Sequence, residues 1–199
     1  MKKSIYIFAV AVIAVAVLAG LILFQPAQQP QNKTYSFDFE DGLSDWTTDS
    51  DVPEDPNRPG QLINWTIDSA NNISYSGNKS LLFYIDGLQD DGTIWIKNKF
   101  STDPNTIRNV TVSFQFWSET ESFNELAVVV GYIGNETAEV EEDFQVIGAA
   151  NQAEGWKTYS LSSEVHTGSS GDVHVALGIS VRWETQMTYF IDNVDIAIN

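Results

Sequence analysis

The 199-residue chain contains no cysteine. Disulfide stapling, a thiolate nucleophile, cysteine-ligated zinc and bacterial lipoprotein lipidation are therefore excluded. Basic residues are scarce: 10 Lys and Arg stand against 27 Asp and Glu, a formal net charge of −17. Such a surface repels phosphate backbones, which argues against a nucleic-acid partner. The two histidines, His166 and His174, are not spaced as a metal pair, and no His-Glu-x-x-His occurs. A Gly-x-Ser-x-Gly elbow and a phosphate-binding glycine loop are also missing. Beyond residue 33 no stretch has helical periodicity. What the chain does have is apolar material, 43% hydrophobic and 12% aromatic, enough to build a core.

The one long hydrophobic run lies at the start. Lys2 and Lys3 precede an uncharged stretch from Ile5 to Phe24. As a helix of about 1.5 Å per residue it would span about 30 Å, a bilayer's hydrocarbon core. The lysines before it, with no basic residue after it until Lys33, place residues 1–4 in the cytoplasm and the rest outside. The expected plan is a transmembrane signal anchor over 5–24, a polar linker over 25–33 and an extracellular domain over 34–199. A cleaved signal peptide is the alternative, with Ala27 near its end. Lys-Lys-Ser before the apolar run also resembles an archaeal pilin-like leader cut after Ser4. Pro26 and Pro30 end the helix in any of these cases. With Lys2 and Lys3 set aside, 8 basic residues face 27 acidic ones, a net of −19.

From Thr34 onward the chain reads as strands. Tyr35, Phe37 and Phe39 alternate with Ser36, Asp38 and Glu40, the period of two of a sheet with one buried face. Ile63–Ile67, Val110–Trp117 and Val173–Val181 alternate in the same way. Ser80–Ile85, Thr93–Lys97, Leu126–Ile133, Phe144–Ile147, Trp156–Leu161 and Met187–Ile198 are further strands. Asp-Gly and Ser-Gly pairs punctuate them, and Asp49–Gly60, with three prolines, reads as a loop. About ten strands with one buried face each predict an all-β, two-sheet antiparallel sandwich.

The segments FDFEDGLSDW, SGNKSLLF, VTVSFQFWSE, GWKTYSL and TYFIDNVDI, in that order, resemble the galactose-binding-like jelly rolls that include carbohydrate-binding modules of glucanases and xylanases. The resemblance spans roughly Tyr35 to Ile198. It implies a jelly roll, a carbohydrate ligand and a structural calcium ion. The calcium would be held by Asp38 or Glu40 from the first strand, by the Asn78–Lys79 segment and by Asp192, hard oxygen donors of the kind Ca²⁺ requires. By alternation alone, Asp38 and Glu40 are instead the solvated face of an edge strand.

Strand phase nominates the ligand residues. Trp117 and Gln115 lie on the polar phase of their strand, Trp95 lies opposite Ile94 and Ile96, and His174 and Arg182 share an outer phase. An exposed indole stacks on a pyranose while amide and guanidinium groups bond its hydroxyls. Trp46, Trp65, Trp156 and Trp183 read as core or loop anchors. Asn-x-Ser/Thr sequons occur at Asn32, Asn64, Asn72, Asn78, Asn109 and Asn135, in keeping with an exported glycoprotein surface.

Three classes of function follow. The first is a non-catalytic cell-surface domain that binds a polysaccharide or glycosylated surface, which requires Trp95 and Trp117 exposed on one face. The second is a structural or assembly protein, with protein partners in a membrane complex, envelope layer or pilin-like filament. The third is a glycoside hydrolase built on the acidic run Glu136, Glu139, Glu141, Glu142 and Asp143. That run lacks an aromatic-flanked strand pattern and reads as a solvated loop or edge.

Overall fold

A computed structural model describes residues 31–184, 186 and 188–199; the anchor helix expected over 5–24 lies outside them. Among the described residues no helix is long and apolar enough to cross a membrane. The described residues form eleven strands. β1 (Lys33–Phe37), β2 (Thr47–Asp51), β3 (Trp65–Ala70), β4 (Ser80–Ile85) and β5 (Thr93–Ser101) come first. They are followed by β6 (Ile107–Ser118), β7 (Ala127–Gly134), β8 (Gln145–Ala149), β9 (Gly155–His166), β10 (Asp172–Val181) and β11 (Thr188–Ile198). One short 3-10 turn, Glu141–Asp143, interrupts the β7–β8 connection.

The strands pair into two antiparallel sheets in jelly-roll order. One runs β3-β4-β11-β6-β9, with β1 also on β11; the other runs β2-β5-β10-β7-β8. Strands of equal rank in the two sheets are joined at one end of the sandwich by arches. The β2–β3, β4–β5, β10–β11, β6–β7 and β8–β9 connections follow one another across that end. Hydrogen bonds stitch these arches together, among them Asp86 N–H to Asn64 O at 2.9 Å and Trp183 N–H to Leu126 O at 3.1 Å.

The core lies between the sheets and uses the apolar phase of every long strand. Leu81, Phe83 and Ile85 of β4, Val110, Val112, Phe114 and Phe116 of β6, and Val173, Val175, Leu177 and Ile179 of β10 are all buried. Burying one such side chain contributes roughly 1.5–3 kcal/mol. β2 is the strand that sequence reading misses, since Thr47–Asp51 falls partly in the expected loop. Its sequence TTDSD has no apolar phase; it exists because an edge strand can be held by the backbone of β5, in register from Thr47↔Lys97 to Asp51↔Thr93. β11 contains a bulge between Asp192 and Asp195, with Asn193 at φ 47°. A bulge changes strand phase. Ile191 points inward before it, and Val194 and Ile196 point inward after it.

Candidate functional site

The five residues nominated for a ligand do not share a face. Trp95 and His174 belong to the five-stranded sheet and Arg182 directly follows its β10, whereas Gln115 and Trp117 belong to the six-stranded one. A groove with Trp95 and Trp117 side by side is thereby overturned.

Trp95 is 0% exposed, which corrects the expectation of a surface indole. It does point away from the main core, but the β7–β8 connection crosses over it. Ala138 and Phe144 from that strap, with Ala176 and Tyr132 from the sheet, enclose the ring, and the Phe144 centroid lies 5.0 Å away. Gly178 stands opposite Trp95, and a Cβ there would sit 2.8 Å from the Trp95 Cβ. The strap is clasped by Glu141. Its carboxylate accepts from Thr93 Oγ1 at 2.7 Å, Ser180 Oγ at 3.0 Å and Arg182 Nη1 at 2.7 Å. Burial pushes the Glu141 carboxyl up, but these three donors outweigh it and hold it below the usual range. Arg182 is thus a clasp residue, and Glu141 is a structural anchor rather than part of a solvated run. His174 lies beside the strap in a hollow of about 270 Å³ with Asp45, Thr47, Lys97, Lys99 and Thr137. Burial, reinforced by Lys99 and Lys97 and opposed by Asp172, keeps His174 below its ordinary pKa.

The outer face of the six-stranded sheet is different. Trp117 pairs directly with Trp156 across β6 and β9, and on its other side with Phe190 of β11. Both indoles are half-buried. Phe190 meets Trp117 edge-on at 5.3 Å, and Tyr75 meets Trp156 edge-on at 5.6 Å. The result is an aromatic row, Phe190–Trp117–Trp156–Tyr75, whose outer member Tyr75 is 51% exposed. Two residue pairs along the strands, Thr158 Oγ1 donates to Gln115 Oε1 at 3.1 Å. Trp156 had read as a core or loop anchor. Its phase was legible, because Tyr159 and Leu161 point inward and so turn Trp156 and Thr158 outward. Trp183, also read as inward, is 58% exposed because β10 ends at Val181 and the alternation stops there. Trp46 is in the core, and Trp65 packs half-buried against it.

Four of the five residues named for calcium converge. Glu40 Oε1 accepts from Asn78 N–H at 2.7 Å and Lys79 N–H at 2.9 Å. Asp192 Oδ2 accepts from Tyr75 N–H at 2.8 Å and Ser76 N–H at 3.1 Å, and its Oδ1 from Asn193 N–H at 2.8 Å. Lys79 Nζ donates to the Glu40 carbonyl at 2.7 Å. Asp38 stands apart, exposed, with its Oδ1 3.3 Å from Glu40 N. Calcium takes six to eight oxygens. Here the carboxylates meet amide donors, an ammonium already sits on the Glu40 carbonyl, and among the described residues no three acidic or histidine side chains are grouped so as to hold a metal ion. The residues as arranged do not fit calcium; they form a clamp that holds the β3–β4 loop. The amides of Lys79 and Asn78 pull the Glu40 carboxyl down, whereas burial pushes that of the fully buried Asp192 up. All six sequon asparagines are exposed.

No family model matches the chain, and no curated protein matches it. Solved structures do. A carbohydrate-binding module of the β-sandwich superfamily, studied for promiscuous specificity, aligns at TM-score 0.52 with 14% identity over 83% of this chain and 73% of its own. A module that recognises mannan aligns at 0.49 with 11% identity, over 85% and 99%. The cleaved adhesin domain of Lys-gingipain from Porphyromonas gingivalis aligns at 0.49 with 14% identity, over 82% and 97%. The first of these likenesses supports the β-sandwich fold; ligand and activity do not follow from it.

Proposed function

We propose that this chain is a non-catalytic carbohydrate-binding domain, tethered to the cell membrane by its N-terminal segment and displayed outside the cell. The observation that carries the ligand reading is the outward-facing Trp117–Trp156 pair, extended by Tyr75. Paired positions on neighbouring strands set the two Cβ atoms about 5 Å apart, so both indoles rise from one stretch of the face and offer apolar surface on which a saccharide chain can stack. Gln115 and Thr158 supply hydroxyl-bonding groups two residue pairs away, on the same face. Phe190 is buried, but Trp117, Trp156 and Tyr75 all keep exposed surface side by side, which suits an extended polysaccharide better than a small sugar. Glu141 is bound into the strap clasp, so the hydrolase reading loses one acid of its run. The exposed sequons agree with a glycosylated exterior.

The test is a screen of soluble polysaccharides by affinity gel electrophoresis, followed by titration of any that retard the protein. Trp117→Ala and Trp156→Ala should each weaken binding about tenfold, close to 1.4 kcal/mol. Trp95→Phe should leave it unchanged. Retention by a polysaccharide that survives both platform substitutions would refute the assignment of this face.

A further inference from the structure

The arched end of the sandwich presents a second surface. Leu62, Leu88 and Trp183 are 55%, 49% and 58% exposed, and Phe123 is fully exposed. Each lies on a different arch: Leu62 on β2–β3, Leu88 on β4–β5, Trp183 on β10–β11 and Phe123 on β6–β7. These arches join strands of consecutive rank in both sheets, so the four residues are carried on arches that lie side by side. At about 4.8 Å between neighbouring strands the row of arches is about 14 Å long. The fifth arch, residues 150–154, carries no large apolar side chain.

The surroundings are strongly of one sign. The four arches contain nine acids, with Glu54 on one outer arch and Glu119, Glu121 and Glu125 on the other, and two arginines. Both arginines are already paired, Arg58 with Asp55 at 2.5 Å and Arg182 with Glu141 at 2.7 Å. Glu54, Asp90, Asp91, Glu119, Glu121, Glu125 and Glu184 are exposed. An apolar ridge rimmed by unpaired carboxylates selects its occupant by charge. A second copy of the chain would bring the same acids against these, and an anionic bilayer would be repelled. A saccharide gains from Trp183 and Phe123 but has no use for Leu62, Leu88 and a dense acidic rim.

We infer that the arched end is a docking surface for a polypeptide segment that carries basic residues around an apolar stripe. The ridge matches about nine residues of helix, two to three turns, by its length. The surface is separate from the Trp117–Trp156 row, so it works whether or not that row binds sugar. It gives the domain a protein contact beside a ligand contact.

The test uses the full chain in neutral detergent and three synthetic helical peptides of equal length: Lys/Leu, Lys/Ser with the same charge, and Glu/Leu. Binding is read by fluorescence anisotropy. The Lys/Leu peptide should bind at least about tenfold tighter than Lys/Ser, and Glu/Leu should not bind. In the double variant Phe123→Ser, Trp183→Ser the preference for Leu over Ser should vanish while the weak charge-driven binding stays. Both side chains are exposed, and an unchanged circular dichroism spectrum checks that the variant folds. A Leu preference that persists in the double variant, or is absent from the native chain, overturns the inference. So does self-association or uptake onto zwitterionic vesicles that the double variant abolishes, since the ridge would then serve a second copy or a membrane.

Discussion

Replacing Glu141 with alanine should release the strap that seals Trp95. The carboxylate accepts from Thr93 and Ser180, both fully buried, and from Arg182, which is partly exposed. Removing it leaves two buried hydroxyls without their acceptor, at about 1 kcal/mol each, and a charge-assisted bond, worth about 1 kcal/mol after solvent screening. The sum is about 3 kcal/mol, acting on the segment around Glu136–Phe144 rather than on the whole sandwich. Trp95, Phe144 and Ala138 still hold the strap by apolar contact, so it should open transiently rather than unfold. Because about 1.4 kcal/mol is tenfold in an opening equilibrium, amide exchange in this segment should accelerate roughly 100-fold. The strands β4, β6 and β11 should exchange at their native rates. Hydrogen-exchange mass spectrometry reads both at once. Glu141→Gln keeps one acceptor oxygen and should give an intermediate acceleration. An exchange rate in Glu136–Phe144 within about threefold of native for Glu141→Ala would refute the clasp, since it would mean less than about 0.7 kcal/mol rests on it.

Three further outcomes follow from the loop clamp and the carboxylates. Thermal unfolding followed by circular dichroism should shift by less than about 1 °C between excess chelator and millimolar CaCl₂, because the clamp oxygens are committed to amides and to Lys79; a calcium-dependent rise of several degrees would restore the ion. Gly77→Ala should destabilise by about 2 kcal/mol or more in denaturant titration, because Gly77 sits at φ 63° and an added Cβ would lie 2.2 Å from Glu40 Oε1. Glu40 and Glu141 have carboxyls lowered from an ordinary value of 4.5, so the stability they contribute is present above that pH and lost as pH falls through the folded values. Asp192, raised by burial, contributes in the opposite sense, and its protonation as pH falls is favourable to the fold; a midpoint that climbs steadily from pH 6 to pH 3 would mean that Asp192 dominates.

Strand phase made much of the fold legible. Every strand with an apolar phase was readable, and β4 was bounded as found, Ser80–Ile85. β2 was not, because its stability comes from a partner strand rather than from its own side chains. The site was legible only in part, for a related reason. Phase correctly turned both Trp95 and Trp117 away from the core, but phase cannot say which sheet a strand joins or what crosses over a face. Trp95 lost its exposure to a segment some 40 residues distant, whose acids read as solvated because Thr93, Ser180 and Arg182 are contributed by other strands. Trp183 was misread because phase was carried past the end of β10.

The clamp and the aromatic row are one construction. Asp192 and Glu40, from the last strand and the turn after the first, hold the backbone amides of residues 75, 76, 78 and 79. Tyr75 lies inside that gripped segment, and its ring is placed edge-on to Trp156 by it. The bulge after Asp192 matters here too. It lets Asp192 face the loop on the outer side while Val194 returns to the core two residues later. Asp192→Asn would keep the shape yet offer only one acceptor oxygen to three amides. A rigid Tyr75 adds contact area at little ordering cost, whereas a loosened one would have to be ordered by the ligand itself. The substitution should therefore weaken saccharide binding at the Trp117–Trp156 row without altering either tryptophan, and its effect should disappear in a Tyr75→Ala background. If Asp192→Asn and Tyr75→Ala instead reduced binding additively, the clamp and the row would be independent devices.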